Sequence, residues 1–561
     1  MVLIVYSSKK VYSLKNIYIE EEIINFSETK SIKYINGLPP LEYIQTFNGN
    51  YRKFKSPQGQ FVYNMHKINN PFSLIELPLD YSNITDIIIE YNDGSYFAYN
   101  YKILYISDFN LQTIFYLNKY FHEFEQFFYD NLNFFDDWEL SLDDGNIKCN
   151  VDDYNEVNVI FQNTFLPSDL YKSVEFFEKC FSYFDNNKYP IIIIESFNLG
   201  GYGDLADFLV SYINLNKSST IYSSYRYNDE VKKNVAPYYT FKSLNTCEIE
   251  NSTLLFNSSK IKTDIYEDEI IHKRTQMFDL SSVDENYFYE LREKTKYIRK
   301  PHEIIIFTDG VSYSATSTFI KETQLKGGAI IVGYDGNPNF KNFDASLSPS
   351  AVHSTRDPVN DSLSIEIEKL GFTLSYSIIE TFGKLDYEDE ENIPLEYQIN
   401  EIDERVEIYN GYNDNKYQDF IDEALKIFQK YKIRCNPKNK NLLFITEDCI
   451  FKEPHLHGGY ECGEDGFWSK KCIPSYCDNG YLYDKRENKC IKDICIKEKK
   501  FYAKIKNILN IKDIIISLFM IFIIVLIIFI FIEKSKRKRK VYILFIIIIN
   551  IILIIFLISF Y

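Results

Sequence analysis

The segment from Glu303 to Gly333 constrains the fold more than any other part of this chain. Ile304-Ile-Ile-Phe-Thr308 is an unbroken apolar run, Asp309-Gly310 is a turn signal, and Ser312-Tyr-Ser-Ala-Thr-Ser317 leads into a helical stretch that ends before Gly327-Gly-Ala-Ile-Ile-Val-Gly333. A short run that is apolar at every position reads as a strand buried on both faces. The segment therefore predicts a buried strand, a tight turn presenting Ser314, a helix, and a second buried strand. A serine at a helix start lies beside free backbone N–H groups and the positive end of the helix dipole, which steady a developing oxyanion. Ser312, Ser314 and Ser317 equally suit ordinary turn and N-cap duty.

A second unit has the same grammar. Pro190-Ile-Ile-Ile-Ile-Glu195 is followed by Asn198-Leu-Gly-Gly201 and then by Gly203-Asp-Leu-Ala-Asp-Phe-Leu209. Two strand–turn–helix units imply an α/β architecture with parallel strands and packed helices. Loops at the carboxyl ends of such strands are where sites form. Gly200 and Gly201 let backbone approach a ligand without a side chain in the way.

Together these motifs resemble the tail-specific (C-terminal processing) serine peptidases. In that family a strand ends in an Asn-x-Gly-Gly turn, here Asn198 to Gly201, and a later strand ends in Asp-Gly-x-x-x-Ser-Ala, here Asp309 to Ala315. The resemblance covers roughly residues 155 to 410, with a weaker match at Tyr34-Ile-Asn-Gly-Leu-Pro-Pro-Leu-Glu-Tyr-Ile44 to the PDZ-like region. It implies a crotonase-like peptidase core, a peptide or protein substrate, and neither metal nor organic cofactor. It also implies Ser314 as nucleophile, with the amides of Ala315 and of Gly200 or Gly201 as the oxyanion hole.

The sequence departs from the family at the general base. One branch places a lysine where this chain has Asn339, and Lys341 lies two residues later. The other uses a histidine before the PDZ-like segment and a late glutamate, yet no histidine precedes Tyr34. The first residues, Met1 to Lys10, read as a mid-domain strand rather than a secretory signal, so the chain is expected to lack its start. The histidines are His66, His122, His272, His302, His353, His455 and His457. The base candidates that remain are Lys341 and His353, which follows a loop expected near the Ser314 turn. Glu396 is the candidate third member, with Glu401 and Glu404 comparable.

The C-terminal end predicts a membrane anchor. Residues 514–532 form an apolar run without a charge, residues 533–540 carry six cations, and residues 541–561 are a second apolar run interrupted by Asn550. The first run is long enough to span a bilayer as a helix, and the cations assign the loop to the cytoplasm. The preceding chain would then be extracellular or lumenal. Seven of the ten cysteines, Cys435, Cys449, Cys462, Cys472, Cys477, Cys490 and Cys495, fall in one short region. Little there could build a core, so disulfides in an oxidising compartment are expected to hold it as an EGF-like stalk. The odd cysteine is left to pair with Cys149, Cys180 or Cys247, or to stay free. No Cys-x-x-Cys pair supports a zinc site at His455 and His457.

The expected order is thus residues 1–150 with the β-rich PDZ-like segment, 151–434 the peptidase domain, 435–500 the stalk, then 514–532, 533–540 and 541–561 as membrane helix, basic loop and second membrane segment. Asn92-Asp-Gly94 marks a hairpin, Phe115 to Phe135 a helix or cap, and Lys416 to Lys432 a closing amphipathic helix. A net charge of −17 argues against nucleic acid, whose phosphates need a basic surface. The competing reading is a non-catalytic surface receptor or adhesin that keeps the fold and binds peptides. An acyl-CoA enzyme of crotonase type is disfavoured by the oxidising compartment.

Overall fold

Alternate residues of the apolar strands enter opposite cores, and that alternation sets the architecture. Ile191, Ile193, Ile304 and Ile306 pack in one cluster, while Ile192, Ile194, Ile305 and Phe307 pack in another. This is the two-residue period of an extended chain in a sheet covered on both faces. The computed structural model describes residues 10–13, 16–19, 31–47, 54–69, 87–99, 140–142, 146–215, 221–229, 231–235, 240–244, 246–257, 261–265, 271–279, 296–349, 352–354, 375–383, 393–408, 416–478, 480–484 and 487–493.

The central sheet has seven strands: β1 (Leu140–Leu142), β2 (Ile147–Asp152), β3 (Val157–Gln162), β4 (Ile191–Glu195), β5 (Ile304–Thr308), β6 (Ile330–Gly333) and β7 (Glu404–Arg405). Their spatial order follows the chain without a reversal. β1, β2 and β3 pair antiparallel, and every pair from β3 to β7 is parallel. Parallel crossovers are right-handed, so a sheet that grows steadily in one direction collects its crossover helices on one face. Accordingly α1 (Leu170–Phe184), α2 (Gly203–Ile213) and α3 (Ala315–Lys326) contribute Phe177, Leu205, Phe208, Phe319 and Ile320 to a single core. α4 (Lys416–Tyr431) covers the other face with Phe420, Ile421, Ala424 and Phe428.

The N-terminal segment contains the expected strand–turn–helix. Strand Ile32–Ile35 turns at Asn36 and Gly37, both with positive φ, into helix Pro40–Thr46. The Asn92-Asp-Gly94 signal is the turn of a hairpin between Ile87–Tyr91 and Tyr96–Tyr99. A second helix, Pro57–Asn69, packs on the turn after β5, where Gly59 lies so close that a Cβ there would sit 2.9 Å from the Gly310 carbonyl oxygen. Between α2 and β5 the chain builds a small accessory core of Tyr225, Phe241, Phe256 and Phe278, joined by pairing of Ile221–Tyr225 with Ile379–Gly383. Sequence reading had no signal for it, because its strands are short and the pairing that joins Ile221–Tyr225 to Ile379–Gly383 spans more than a hundred residues.

Residues 435–493 depart from the picture of a free stalk. Three disulfides lie there: Cys435–Cys462 and Cys449–Cys472 interleave, and Cys477–Cys490 follows them. The segment packs on the core: Trp468 Nε1 donates to the Tyr431 carbonyl at 2.8 Å, and His302 stacks on Phe444. Buried apolar side chains gain more by joining an existing core than by standing alone in a short module. Cys149 and Cys180 pair with each other between β2 and α1, so neither takes the odd cysteine of that region. Cys247 is also disulfide-bonded, and Cys495 lies outside the described residues.

Among the described residues, no helix is long and apolar enough to cross a membrane. The two apolar runs, 514–532 and 541–561, the basic loop between them and Phe115–Phe135 lie outside the described residues.

Candidate active site

β4 and β5 lie side by side in parallel, with Glu195 opposite Thr308 at their carboxyl ends. Their two following turns therefore emerge together, and the motifs read separately in the sequence form one site. Ser314 ends the second turn as N-cap of α3, at φ 52 and ψ −122. A residue with a Cβ is strained there by about 1–3 kcal/mol, so the surroundings must impose the conformation. They do so through the backbone: Ser314 N–H donates to Ser348 O at 2.8 Å, Thr318 N–H to Ser314 O at 2.9 Å, and Tyr313 N–H to Asn198 O at 3.1 Å.

The strained turn leaves the Ser314 side chain uncommitted. It makes no capping bond, among the described residues nothing hydrogen-bonds its Oγ, and the residue is half-buried. Its neighbours are structural instead. Ser312 is fully buried with Oγ 3.3 Å from Thr308 Oγ1, and Ser317 Oγ lies 2.9 Å from Ser346 Oγ. The Ala315 amide likewise has no acceptor among the described residues, as expected for the first turn of a helix.

Gly200 reaches this group from the other turn. A Cβ on Gly200 would lie 2.5 Å from Tyr313 O, 2.8 Å from Ser314 Cβ and 2.9 Å from Ala315 N, and its φ is +94. Only glycine allows that approach. Gly201 is held just as tightly against Phe165, through Phe165 N–H to Gly200 O at 3.0 Å and Tyr202 N–H to Phe165 O at 2.7 Å. The Gly200 N–H itself donates to Asn198 Oδ1 at 3.0 Å, which leaves the Gly201 and Ala315 amides without an acceptor among the described residues.

Beneath the turns lie two buried carboxyls. Asp309 accepts Phe197 N–H at 2.6 Å and Val311 N–H at 2.9 Å. Glu195 Oε2 accepts Asn198 Nδ2–H at 2.7 Å, while Oε1 is buried without a partner among the described residues. Burial pushes Glu195 up to about 8; the Asn198 bond opposes this and the charge of Asp309 adds to it. Above the turns, helix Pro57–Asn69 lays Val62 and Tyr63 against Val311 and Leu347, with Phe54, Phe197 and Tyr313 alongside. An apolar, aromatic wall thus flanks the serine.

The candidate bases are distributed as follows. Lys341 is exposed in the loop after β6. His353 lies in a short ladder, Val352–Ser354 with Ser375–Ser377, shortly beyond Ser348, whose carbonyl holds the Ser314 amide. Glu396 is committed to Thr381, accepting its N–H at 2.9 Å and Oγ1–H at 2.6 Å, and burial pushes it up to about 7. It lies close enough to Tyr313 to help raise that phenol, although burial is the larger cause. Glu401 and Glu404 are committed to ion pairs with Lys438 and Lys430. His302 is buried ahead of β5, and burial lowers it to about 4. His272 belongs to the accessory hairpin Lys262–Ile265 with Ile271–Arg274, and His122 is outside the described residues. His66 is in helix Pro57–Asn69. His455 and His457 both bond Asp478, at 3.0 and 2.6 Å.

Sequence reading missed Lys321. It follows Ser314 by two helical turns, a spacing that puts it on the same face of α3, and that is the signal that could have found it. It is fully buried, donates to Asn400 Oδ1 at 2.7 Å, and shares its surroundings with Lys55 and Asp344, themselves 3.1 Å apart. Burial lowers it to about 7, with Asp344 opposing.

No family model matches this chain, and no curated protein matches it. Solved structures give distant likenesses. Mature CPAF is 13% identical over 75% of this chain and 82% of its own, with a TM-score of 0.39. A Bacteroides fragilis NCTC 9343 protein assigned to the S41 proteases is 11% identical over 52% of this chain and 60% of its own, with a TM-score of 0.28. The photosystem II D1 C-terminal processing protease is 7% identical over 45% of this chain and 42% of its own, with a TM-score of 0.22. Superpositions this loose carry no argument about activity, which rests on the geometry of the Ser314 turn.

Proposed function

We propose that this chain is a serine-type peptidase of tail-specific type that hydrolyses peptide bonds through an acyl-enzyme. The observation that carries the reading is Ser314: a strained, half-buried helix-cap serine whose Oγ has no hydrogen bond among the described residues, beside an Ala315 amide likewise without an acceptor among them. In the reaction, Ser314 Oγ attacks the scissile carbonyl carbon as its proton passes to a base. The carbonyl oxygen becomes an oxyanion facing the Ala315 and Gly201 amides. Collapse breaks the C–N bond, the amine leaves with the proton, and water then releases the acyl group from Ser314. His353 is the base this reading favours, since Lys341 is exposed in a separate loop and Lys321 is bonded to Asn400.

The same proposal places the protein at a membrane. The apolar runs 514–532 and 541–561, with six cations between them, support an anchor with a cytoplasmic loop. The disulfides support an extracellular or lumenal peptidase domain. Reaction of the full chain with a fluorophosphonate, located by peptide mapping, tests the chemistry. Adduct on Ser314 supports it; an unreactive chain that still binds peptides would return the receptor reading.

A further inference from the structure

Two carboxyls lie under the site and the proposed reaction uses neither. Glu195 and Asp309 close adjacent strands, yet they are bonded in different ways. Asp309 holds backbone amides of both turns, Phe197 from the first and Val311 from the second. The Glu195 carboxyl has one bond among the described residues, from the Asn198 side-chain amide. That amide has its other end on Gly200 N–H, and Gly200 is the residue pressed against Ser314 and Ala315. A single side chain thus links the carboxyl to the turn that packs on the serine.

We infer that Glu195 is a positioning residue: through its bond to the Asn198 side chain it holds the Gly200–Gly201 turn against Ser314 and Ala315. The role rests on the peptidase reading only for what the turn serves; the holding itself does not. Ionised Glu195 would sit beside Asp309 in a buried space, where like charges repel strongly. The Asn198 bond offsets this in part, and the other groups facing it add no positive charge. Gln162 on β3 stands opposite in register, with both polar atoms buried and without partners among the described residues. Thr308 on β5 bonds Ala345 O, and Tyr334, after β6, donates to the Glu195 backbone oxygen and not to its carboxyl. No cation among the described residues pairs with Glu195. The acid, raised to about 8, is therefore neutral at pH 7 and loses its proton in mild alkali.

The test is amide hydrogen exchange of the full chain, read on peptides spanning Ser196 to Tyr202 and corrected for the intrinsic rate at each pH. In the unaltered chain, protection of this turn is expected to fall as pH rises through about 8. Glu195→Gln keeps an acceptor for Asn198 and cannot ionise, so its protection should stay level; Glu195→Ala should lose protection throughout. Asn198→Ala, which leaves Glu195 in place, should also be unprotected at every pH and decides the matter if the Glu195 variants do not fold. Fluorophosphonate labelling of Ser314 in the same samples should follow protection, with a loss of about 10²-fold in Asn198→Ala. Identical pH profiles for the unaltered chain and Glu195→Gln, or a protected turn in Asn198→Ala, overturn the assignment. The expected exchange pattern without any Ser314 labelling upholds the positioning role and counts against the peptidase reading alone.

Discussion

Asp309 Oδ2 accepts the Phe197 amide proton at 2.6 Å, so the turn after one strand is bonded to the turn after its neighbour. Phe197 has φ 48, and Asp309 is fully buried. The bond thus holds a strained residue in place and ties the glycine turn to the serine turn. Asp309→Ala leaves the Phe197 and Val311 amides without their acceptor. Hydrogen bonds to charged groups are worth about 1.5–3 kcal/mol each, so a loss of about 3 kcal/mol or more is expected in urea unfolding. A variant within about 0.5 kcal/mol of the parent would show that the bond carries no weight.

Ser314→Ala should abolish peptide hydrolysis and fluorophosphonate labelling. Ser312→Ala should retain both, since Ser312 is buried and bonded to Thr308, and should lose only about 1 kcal/mol of stability. Hydrolysis that survives in Ser314→Ala would remove the nucleophile assignment.

Gly200→Ala tests the close approach. The added methyl would meet Tyr313 O at 2.5 Å and Ser314 Cβ at 2.8 Å, at a φ of +94 that disfavours any L side chain. Labelling of Ser314 should fall at least about 10²-fold while the folded signal persists, because displacement of reacting groups by about 1 Å has that effect. Gly37→Ala, with open space around its Cβ, is the control for backbone strain alone.

Lys321 makes stability depend on pH in a defined direction. Burial lowers it from 10.5 to about 7 in the folded chain, and unfolding returns it to the ordinary value. Between those limits the unfolded state binds more protons, so this group's contribution to stability rises with pH, by up to about 1.4 kcal/mol per unit. Lys321→Met should lose that slope while remaining folded, since replacing a buried charge by an apolar group of similar size is often neutral or favourable. Urea midpoints of both chains at neutral and at alkaline pH measure it; parallel changes would mean that Lys321 contributes no such slope.

The Cys149–Cys180 disulfide closes a loop with a sequence separation of 31 between β2 and α1. Replacing both cysteines by serine should lower stability by about 3–4 kcal/mol on chain-entropy grounds. Reduction of the unaltered chain should move its thermal transition the same way, and an unmoved transition would contradict the assignment.

The two strand–turn–helix units, the turn at Asn92 to Gly94 and the helix from Lys416 were all legible in the chain itself. Each rests on side-chain periodicity or turn chemistry within a dozen residues, and such preferences act locally. The likeness of Asn198–Gly201 and Asp309–Ala315 to a peptidase site was legible for the same reason. What no local pattern carries is the register that sets Glu195 opposite Thr308, because sheet pairing joins residues over a hundred positions apart. From that register follow the contact of Gly200 with Ser314, the bond from Asp309 to Phe197 and the closeness of the Glu195 and Asp309 carboxyls. The burial of Lys321 beside Lys55, Asp344 and Asn400 belongs to the same class: desolvation depends on everything packed around a group, and a linear sequence does not say what surrounds it.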